Sequence, residues 1–262
     1  MSAPTAGELR DHLVGSRIAG SVATPREDNL RNIDRMLADR PDYDFGLVRR
    51  KSWTADEVLA VMASRCGISP DPAYTRGPDT IDPDLVLAAL DRWRARLVRA
   101  VERGERVLLA TGHPTGVLAV HLQVAAALRR HGCEVLSAAP DWSWPWEVDS
   151  DFGRRRARHV LDLTGVHLLA TGGELLHTHA ADPVRALLAG LDRPPDLVVA
   201  DHGWAGGAAE VGVDALGMAD CNDPALFVGE AEGKPLDVLP LDDNVAPPLY
   251  RPLSAYLLQD LG

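Results

Sequence analysis

The spacing of apolar residues along this chain changes at about residue 105. Before that point, apolar residues recur every three or four positions, which is the period of an amphipathic helix. Helices are therefore predicted at Pro25–Arg40, Thr54–Arg65 and Asp82–Gly104. Thr24 is the predicted N-cap of the first helix, and Thr54 with Glu57 forms a capping box in the second.

After residue 105, short apolar runs alternate with helical patterns, beginning with a βαβ unit. Its predicted elements are the strand Arg106–Thr111, the helix Val117–Arg130 and the strand Glu134–Ala138. Further predicted strands are Val166–Ala170, Leu197–Asp201, Leu226–Gly229 and Val238–Leu241, and further predicted helices are Arg154–Leu163 and Pro183–Leu191. The alternation predicts a three-layer, Rossmann-like α/β fold with a mostly parallel sheet. Residues 1–104 would form an N-terminal helical portion packed on an α/β core of residues 105–262, with one continuous domain as the alternative.

The composition narrows the classes of function. The chain has 38 acidic residues against 27 lysines and arginines, which gives a formal net charge of −11. Because a field of this sign repels nucleic acids and anionic membranes, neither is an expected partner. No apolar stretch is long enough to span a bilayer, and no signal peptide is visible. Three cysteines without metal-binding spacing suit a reducing compartment, so a cytoplasmic location is expected, and the oligomeric state stays open, a homo-oligomer included.

Asp201 and His202 follow the apolar run Leu197–Ala200 and directly precede Gly203. In open α/β sheets, the carboxyl ends of the strands border the ligand-binding crevice. Both side chains are therefore predicted to face this crevice, as ligands of a divalent ion or as a histidine held by its carboxylate. In the structural alternative, Asp201 caps a turn and His202 packs under Trp204.

A second loop at a strand end, Thr111–Gly116, leads into a predicted helix. Backbone amides at a helix N-terminus bind phosphate or carboxylate groups. The residues predicted to bind an anionic substrate are Thr111, Gly112, Thr115 and Gly116. The predicted catalytic residues are His113, Asp201 and His202, and His113 would stand in the crevice to orient or protonate a phosphate. The alternative is a tight turn with an exposed histidine.

Acidic residues cluster near two further apolar runs. Asp220 and Asp223 precede the predicted strand Leu226–Gly229, and Asp242 and Asp243 follow another. Carboxylate oxygens are the ligands that hard divalent cations prefer, although ordinary turns use the same residue types. The predicted metal ligands are Asp201, His202, Asp220, Asp223 and Asp242.

Two histidines at alternate positions, His177 and His179, follow the predicted strand Val166–Ala170. They would share one face of an extended segment but lie on nearly opposite sides of a helix. Solvent-facing loop positions are therefore the favoured interpretation, and a His-x-His metal pair is the alternative.

Four stretches, taken together, resemble a poorly characterised actinobacterial family of phosphatases. They are residues 110–116 (ATGHPTG), 200–206 (ADHGWAG), 219–224 (ADCNDP) and 240–245 (PLDDNV). The resemblance extends from about residue 25 to the end of the chain. It implies phosphate-ester hydrolysis without implying which residues catalyse it.

The residues and the resemblance together predict metal-assisted hydrolysis of a small phosphorylated metabolite. A divalent ion would polarise the phosphoryl group and lower the pKa of a bound water. Mg²⁺ or Mn²⁺ is expected in preference to Zn²⁺ because carboxylates dominate the predicted ligands. A non-catalytic α/β module that binds a nucleotide or an anionic metabolite is the alternative, so a small anionic metabolite is the expected partner in both cases.

Overall fold

The computed structural model describes residues 3–137, 143–148 and 156–261, apart from the side chains of residues 143–148, 156 and 157. The strands are β1 Gly20–Pro25, β2 Pro78–Ile81, β3 Arg106–Thr111, β4 Glu134–Val135, β5 Ser143–Val148, β6 Arg156–Leu163, β7 Val166–Thr171, β8 Glu174–Leu176, β9 Leu197–Asp201, β10 Ala215–Ala219 and β11 Leu236–Pro240. The helices are α1 Ala6–Gly15, α2 Arg26–Leu37, α3 Ala55–Arg65, α4 Pro83–Arg103, α5 Leu118–Arg130, α6 Asp182–Gly190, α7 His202–Glu210, α8 Pro224–Ala231 and α9 Arg251–Leu258. Short 3-10 turns occur at Pro247–Tyr250 and Gln259–Leu261.

Nine of the described strands form the central sheet. Its main order is β11-β10-β9-β3-β7-β6-β5, with β4 beside β3 and β8 beside β7. The strands from β11 to β7 in this order are parallel, whereas β5, β6 and β8 pair in antiparallel fashion. Strands β3, β7, β9 and β10 are buried along their whole length, as expected for parallel strands covered on both faces. The predicted mostly parallel α/β sheet is confirmed.

The helices form two groups, which complete a three-layer arrangement. Helices α1, α4, α5 and α9 contact one another, and α4 and α5 contact strands of the sheet. Helices α2, α3, α6, α7 and α8 form the second group, in which α7 and α8 contact the sheet. Helices from the first hundred residues thus belong to both groups, and their buried side chains share one hydrophobic cluster with the strands. The division at residue 104 stays a prediction.

The predicted helix Arg154–Leu163 is wrong for the residues that the structure describes, which form strand β6. This strand pairs with β7 from Arg158 to Leu163, and the two meet at a two-residue turn, Thr164–Gly165. Both turn residues have positive φ, 50° and 88°, as two-residue hairpins of the type I′ class require. Hairpin pairing with the next strand therefore overrides the helical spacing. Residues 154 and 155 lie outside the described part.

The segment Leu226–Gly229 is also not a strand, because it lies inside helix α8. The strand next to β9 is β10, whose sequence ALGMA has no β-branched residue. Short, fully buried apolar runs look alike in helices and strands, so periodicity alone does not separate these two segments. The correction places Asp220 and Asp223 after a strand and before a helix, at the crevice edge of the sheet.

An antiparallel pair, β1 and β2, connects the N-terminal portion to this edge. Helix α2 begins at Arg26 without a side-chain cap, so the predicted N-cap role of Thr24 is wrong. The Thr24 hydroxyl instead donates to Asp220 Oδ2 at 2.6 Å. The Thr54–Glu57 capping box and the long helix α4, which ends at a left-handed Gly104, are confirmed.

Among the described residues, no helix combines the length and the apolar character that a bilayer span needs.

The buried ion pair between Arg26 and Asp79 generates a stability prediction. Both side chains are at most 1% exposed, and the Arg26 guanidinium also donates to the carbonyl oxygens of Tyr74 and Asp71. Arg26→Met leaves the Asp79 carboxylate buried without its counter-charge, so we expect a loss of about 3–5 kcal/mol in unfolding free energy. Urea unfolding followed by circular dichroism measures this loss.

The exposed pair between Arg10 and Asp84 is the matched control. Arg10→Met should cost less than about 1 kcal/mol, because water screens exposed ion pairs. Equal losses for the two variants would contradict the importance assigned to the Arg26 pair.

Candidate metal centre

Four neighbouring parallel strands end at the same edge of the sheet, and chemistry-bearing residues follow each end. In sheet order, β11 is followed by Asp242 and Asp243, and β10 is followed by Asp220 and Asp223. Strand β9 ends on Asp201, and His113 follows β3 by two residues. The structure thus brings together the predicted residues His113, Asp201, His202, Asp220, Asp223 and Asp242. All six side chains are buried.

Asp201 is fully buried, and both of its carboxylate oxygens are engaged. Oδ1 accepts from Gly112 N at 2.5 Å and from His202 Nδ1 at 2.9 Å. Oδ2 accepts from Thr111 Oγ1 at 2.5 Å and from His121 Nε2 at 3.1 Å. Burial raises the pKa of Asp201, but the hydrogen bonds from His121 and His202 outweigh it and hold this pKa far below its ordinary value. The ionised carboxylate therefore fixes the orientation of two imidazoles.

His202 is the first residue of α7 and has a left-handed backbone, with φ of 44°. Because its Nδ1 donates to Asp201, Nε2 is directed toward two other carboxylates, 3.5 Å from Asp243 Oδ2 and 3.7 Å from Asp223 Oδ2. Burial lowers the pKa of His202, but Asp223 and Asp201 raise it more, to about 10. The surroundings of Nε2 thus favour a positive charge, which a bound proton or a metal ion can supply.

Four buried carboxylates lie on the far side of Nε2, each at most 5% exposed. They belong to Asp220, Asp223, Asp242 and Asp243. Burial raises the pKa of the first three, and the charge of Asp243 raises it further; the pKa of Asp223 reaches about 6. Among the described residues, the ion pairs of this group join Asp223 and Asp243 to histidines, and none joins the four carboxylates to a lysine or arginine. Burying four crowded carboxylates with only histidines to balance their charge is costly, so this arrangement fits a metal ion.

The N-terminal portion helps to hold these acids in place. Thr24 Oγ1 donates to Asp220 Oδ2 at 2.6 Å, and Ala23 N donates to Asp242 Oδ2 at 3.3 Å. The backbone N–H of Asp242 donates to Ile18 O at 2.9 Å. Residues 18–24 therefore cover the acidic side of the centre, a contribution that the sequence did not predict.

Three histidines line the other side of Nε2. His113 Nδ1 lies 3.1 Å from Asp243 Oδ2, but the angles do not form a hydrogen bond, so this buried nitrogen has no hydrogen-bond partner. Burial lowers the pKa of His113, but Asp243 raises this pKa by more, so that it lies above its ordinary value. His177 is exposed at the rim, where the surrounding protein and the charges of His202 and His113 lower its pKa to about 4.

The rings of His179 and His202 are stacked, with centroids 4.8 Å apart and planes 11° from parallel. His179 Nδ1 donates to Asp42 O at 2.8 Å. Burial and the charge of His202 lower the pKa of His179 to about 3. A backbone hydrogen bond from Thr178 N to Gly112 O brings the His-x-His segment across the end of β3. The loop that carries both histidines turns back to the sheet edge, and such a turn leaves no periodic signal in the sequence. The sequence therefore favours solvent-facing positions for this pair.

Two further residues of the centre were missed or left uncommitted. His121 lies inside an apolar helical stretch, 80 residues before its partner Asp201, so no local pattern marked it. Asp243 belongs to an acidic pair of which the sequence predicts only Asp242 as a ligand. The polar residue types and the strand-end position are the only signals that the sequence offers for Asp243.

In the loop predicted to bind an anion, two backbone amides already donate hydrogen bonds within the protein. The amide of Gly112 donates to Asp201, and the amide of His113 donates to Thr111 Oγ1 at 3.0 Å. A Cβ added to Gly116 would lie 1.7 Å from Asp243 O, so this glycine allows the loop after β11 to approach. Thr115 is exposed. The substrate-binding role of Thr111, Gly112, Thr115 and Gly116 stays a prediction.

Three groups of described side chains place their ligand atoms within 4.8 Å of one another. The groups are His113, His177 and His202; His202, Asp223 and Asp243; and Asp220, Asp242 and Asp243. Because Nδ1 of His202 is bound to Asp201, only Nε2 is left for an ion, so the first two groups cannot hold two separate ions and their ligands can serve one. A carboxylate has two oxygens, so Asp243 can join this position to the third group. Asp201 belongs to none of the groups.

Two short strings known from other phosphatase mechanisms occur in the chain but lie outside this centre. The string DxDxV spans residues 82–86, where Asp82 is the N-cap of α4 and accepts from Asp84 N. The string RHG spans residues 130–132, where His131 is the C-cap of α5. Helix capping accounts for both, and neither contributes a group to the four strand ends.

The crowding of carboxylates predicts an unusual effect of neutralising one of them. The raised pKa of Asp220 means that folding at pH 7 must either protonate this carboxyl or bury its charge beside Asp243, and both cost free energy. Asp220→Asn is neutral at every pH and avoids this cost, so we expect the unfolding free energy at pH 7 in the presence of a chelator to rise by at least about 1 kcal/mol. With Mn²⁺ added, the parent protein should gain more stability than the variant, because ion binding stabilises the folded state. Thermal unfolding under both conditions measures this reversal.

Asp214→Asn is the matched control, since Asp214 is exposed and precedes the opposite end of the same strand, β10. It should change stability by less than about 0.5 kcal/mol in both conditions. An Asp220→Asn variant that is less stable than the parent in chelator would contradict the crowding argument.

Two comparisons with known proteins agree with the resemblance seen in the sequence. The family model described as Phosphatase matches residues 4–262. Phosphatase SCO2771 of Streptomyces coelicolor is 47% identical over 265 residues, which cover 99% of this chain and 97% of that protein. The similarity therefore includes all four strand ends of the centre, and the predicted resemblance is confirmed. This chain belongs to the Phosphatase family.

Proposed function

We propose that this protein hydrolyses a phosphate ester of a small metabolite with the help of a divalent ion, Mg²⁺ or Mn²⁺. Family membership supports the reaction class. The observation that carries the metal is the buried group of His202, Asp223 and Asp243, whose ligand atoms lie within 4.8 Å of one another. The absence of lysine and arginine ion pairs from this group, among the described residues, supports an ion as the missing positive charge.

When bound, such an ion polarises the phosphoryl group and lowers the pKa of a coordinated water. The role of the protein is to hold the ligands in place. Asp201 holds His202 through Nδ1, so that Nε2 stays aimed at the ion position. In this proposal Asp201 is a positioning residue and not a ligand, because its two oxygens already accept four hydrogen bonds.

The backbone around the centre favours anions as well as cations. Helices α7 and α8 both begin at this edge of the sheet, after Asp201 and Asp223. The N-terminal end of a helix carries a partial positive charge, which stabilises nearby carboxylates and phosphate oxygens. A phosphate ester therefore suits the crevice despite the acidic residues that line it.

A cleft of about 580 Å³ lies beside the centre, and its size is evidence for a small leaving group. Asp42, Thr178 and Arg158 are among the residues that line it. The bond from His179 Nδ1 to Asp42 O joins this cleft to the histidine side of the centre. Arg158 Nε is buried there and has no acceptor among the described residues, so it can donate to an anionic or polar part of a metabolite. Pockets of this volume typically hold small ligands.

Removal of the metal tests the reaction directly. Phosphate release from a panel of phosphate monoesters, p-nitrophenyl phosphate included, should fall at least about 100-fold after chelation, because the ion supplies several kcal/mol of charge stabilisation. Addition of Mg²⁺ or Mn²⁺ should restore it. Full activity of protein that elemental analysis shows to be metal-free would contradict the proposal.

Asp201→Asn tests the positioning role. An amide cannot accept all four hydrogen bonds and misorients the His202 ring, so we expect kcat to fall about 10²- to 10⁴-fold. Thermal unfolding checks that the variant is folded. Binding of the same ester to the variant and to the parent then separates a hydrolase from a binding module. A binding module that uses Asp201 only structurally would keep most of its affinity for the ester.

His131→Gln is the control for this experiment, since His131 ends α5 at its far terminus from the centre. It should keep the parent kcat. A large loss of kcat in His131→Gln would contradict the assignment and point to the RHG string.

A further inference from the structure

We propose that the ion position at His202 Nε2 is completed by His113 and His177, so that it binds a divalent transition ion such as Mn²⁺, Co²⁺, Ni²⁺ or Zn²⁺ in preference to Mg²⁺. The inference rests on the proposed function, because it concerns the metal of the same centre, and of the two ions named there it selects Mn²⁺ over Mg²⁺ for this position. It gives His113 a ligand role in place of the phosphate contact predicted from the sequence.

The three imidazoles form a compact group around one point. One ring nitrogen from each of His113, His177 and His202 lies within 4.8 Å of the others. The ring centroids are 4.6 Å apart for His113 and His177, and 5.1 Å apart for His177 and His202. Modest side-chain rotation would bring such nitrogens to the bonding distance of about 2.0–2.1 Å that a transition ion requires.

A buried nitrogen that makes no hydrogen bond points to a ligand at this position. His113 is only 6% exposed, and its Nδ1 makes no hydrogen bond, although Asp243 lies in ion-pair contact with it. A buried polar atom without a well-aligned hydrogen bond costs free energy, and coordination of an ion shared with Asp243 would offset this cost. Asp243 Oδ2, 3.1 Å from this nitrogen and 3.5 Å from His202 Nε2, lies where it can ligate the same ion.

The surrounding contacts keep the imidazoles in place. His202 is held by the Asp201 carboxylate, an arrangement that orients metal-binding histidines and raises their basicity. His179 stacks on His202 and is itself held by Asp42 O. A backbone hydrogen bond from Thr178 N to Gly112 O fixes the residue between His177 and His179. His177 therefore lies next to His113.

The donor set decides the class of ion. Mg²⁺ prefers oxygen ligands and retains several waters, whereas imidazole nitrogens suit transition ions. Three nitrogens with one or two carboxylate oxygens therefore disfavour Mg²⁺. The neighbouring group of Asp220, Asp242 and Asp243 offers oxygens alone, so the two sides of the centre differ in the ions that they prefer.

Metal binding by the full-length protein tests the inference without using turnover. After chelation, the protein is titrated with Co²⁺ or Mg²⁺ by calorimetry, and the Co²⁺ sample is followed by visible absorption. We expect Co²⁺ to bind at least about 100-fold more tightly than Mg²⁺ and to give the absorption of a nitrogen-containing site. Equal affinity for Mg²⁺ and Co²⁺ would overturn the inference.

His177→Gln is the variant of choice, because this side chain is exposed and its loss leaves the core intact. We expect it to lower the Co²⁺ affinity at least about tenfold, to change the absorption spectrum and to leave Mg²⁺ binding unchanged. His113→Gln should act in the same direction. His131→Gln is the control and should match the parent; parent-like Co²⁺ affinity and spectrum in both His177→Gln and His113→Gln would overturn the inference.

Phosphate release, measured in parallel, separates this inference from the proposed function. Hydrolysis with Mg²⁺ and no nitrogen signature for Co²⁺ would overturn the inference and leave the hydrolase intact. A histidine-dependent Co²⁺ spectrum without hydrolysis of any ester would leave the metal site intact and overturn the function.

Discussion

The buried carboxylate of Asp201 is the interaction on which the arrangement of the site depends. It ends strand β9 and accepts hydrogen bonds from the end of β3, from helix α5 and from the first residue of α7. These four contacts fix two strand ends relative to each other and set the direction of the His202 ring. The position of the candidate metal centre therefore follows from the hydrogen bonds that one buried acid accepts at the sheet edge.

Beyond His202, the centre concentrates negative charge in a way that folding alone would not favour. Four carboxylates lie buried together, and residues 18–24 of the N-terminal portion close over them. Strained or unfavourable arrangements of this kind are typical of functional sites, where binding of an ion compensates the cost. The N-terminal helices therefore contribute to function, since they support residues 18–24, which cover the four carboxylates.

The sequence predicted most of this architecture where local physics decides the outcome. Strands β3 and β9 and the capping box of α3 follow from apolar runs and cap residues, and the strand-end rule found six of the residues that meet at the edge. It failed where pairing and packing decide: β6 is a strand because it forms a hairpin with β7, and α8 is a helix despite its apolar run. His121, His177 and His179 reach the site through a helix face and a returning loop, neither of which leaves a local pattern.

Anomalous X-ray diffraction from crystals of the protein loaded with Mn²⁺ tests whether His202 binds a metal ion. We expect an anomalous peak within about 2.0–2.3 Å of His202 Nε2, with carboxylate oxygens of Asp223 or Asp243 among the other ligands. Crystals that bind Mn²⁺ only elsewhere, with His202 Nε2 hydrogen-bonded to those carboxylates as a charged imidazolium, would contradict it.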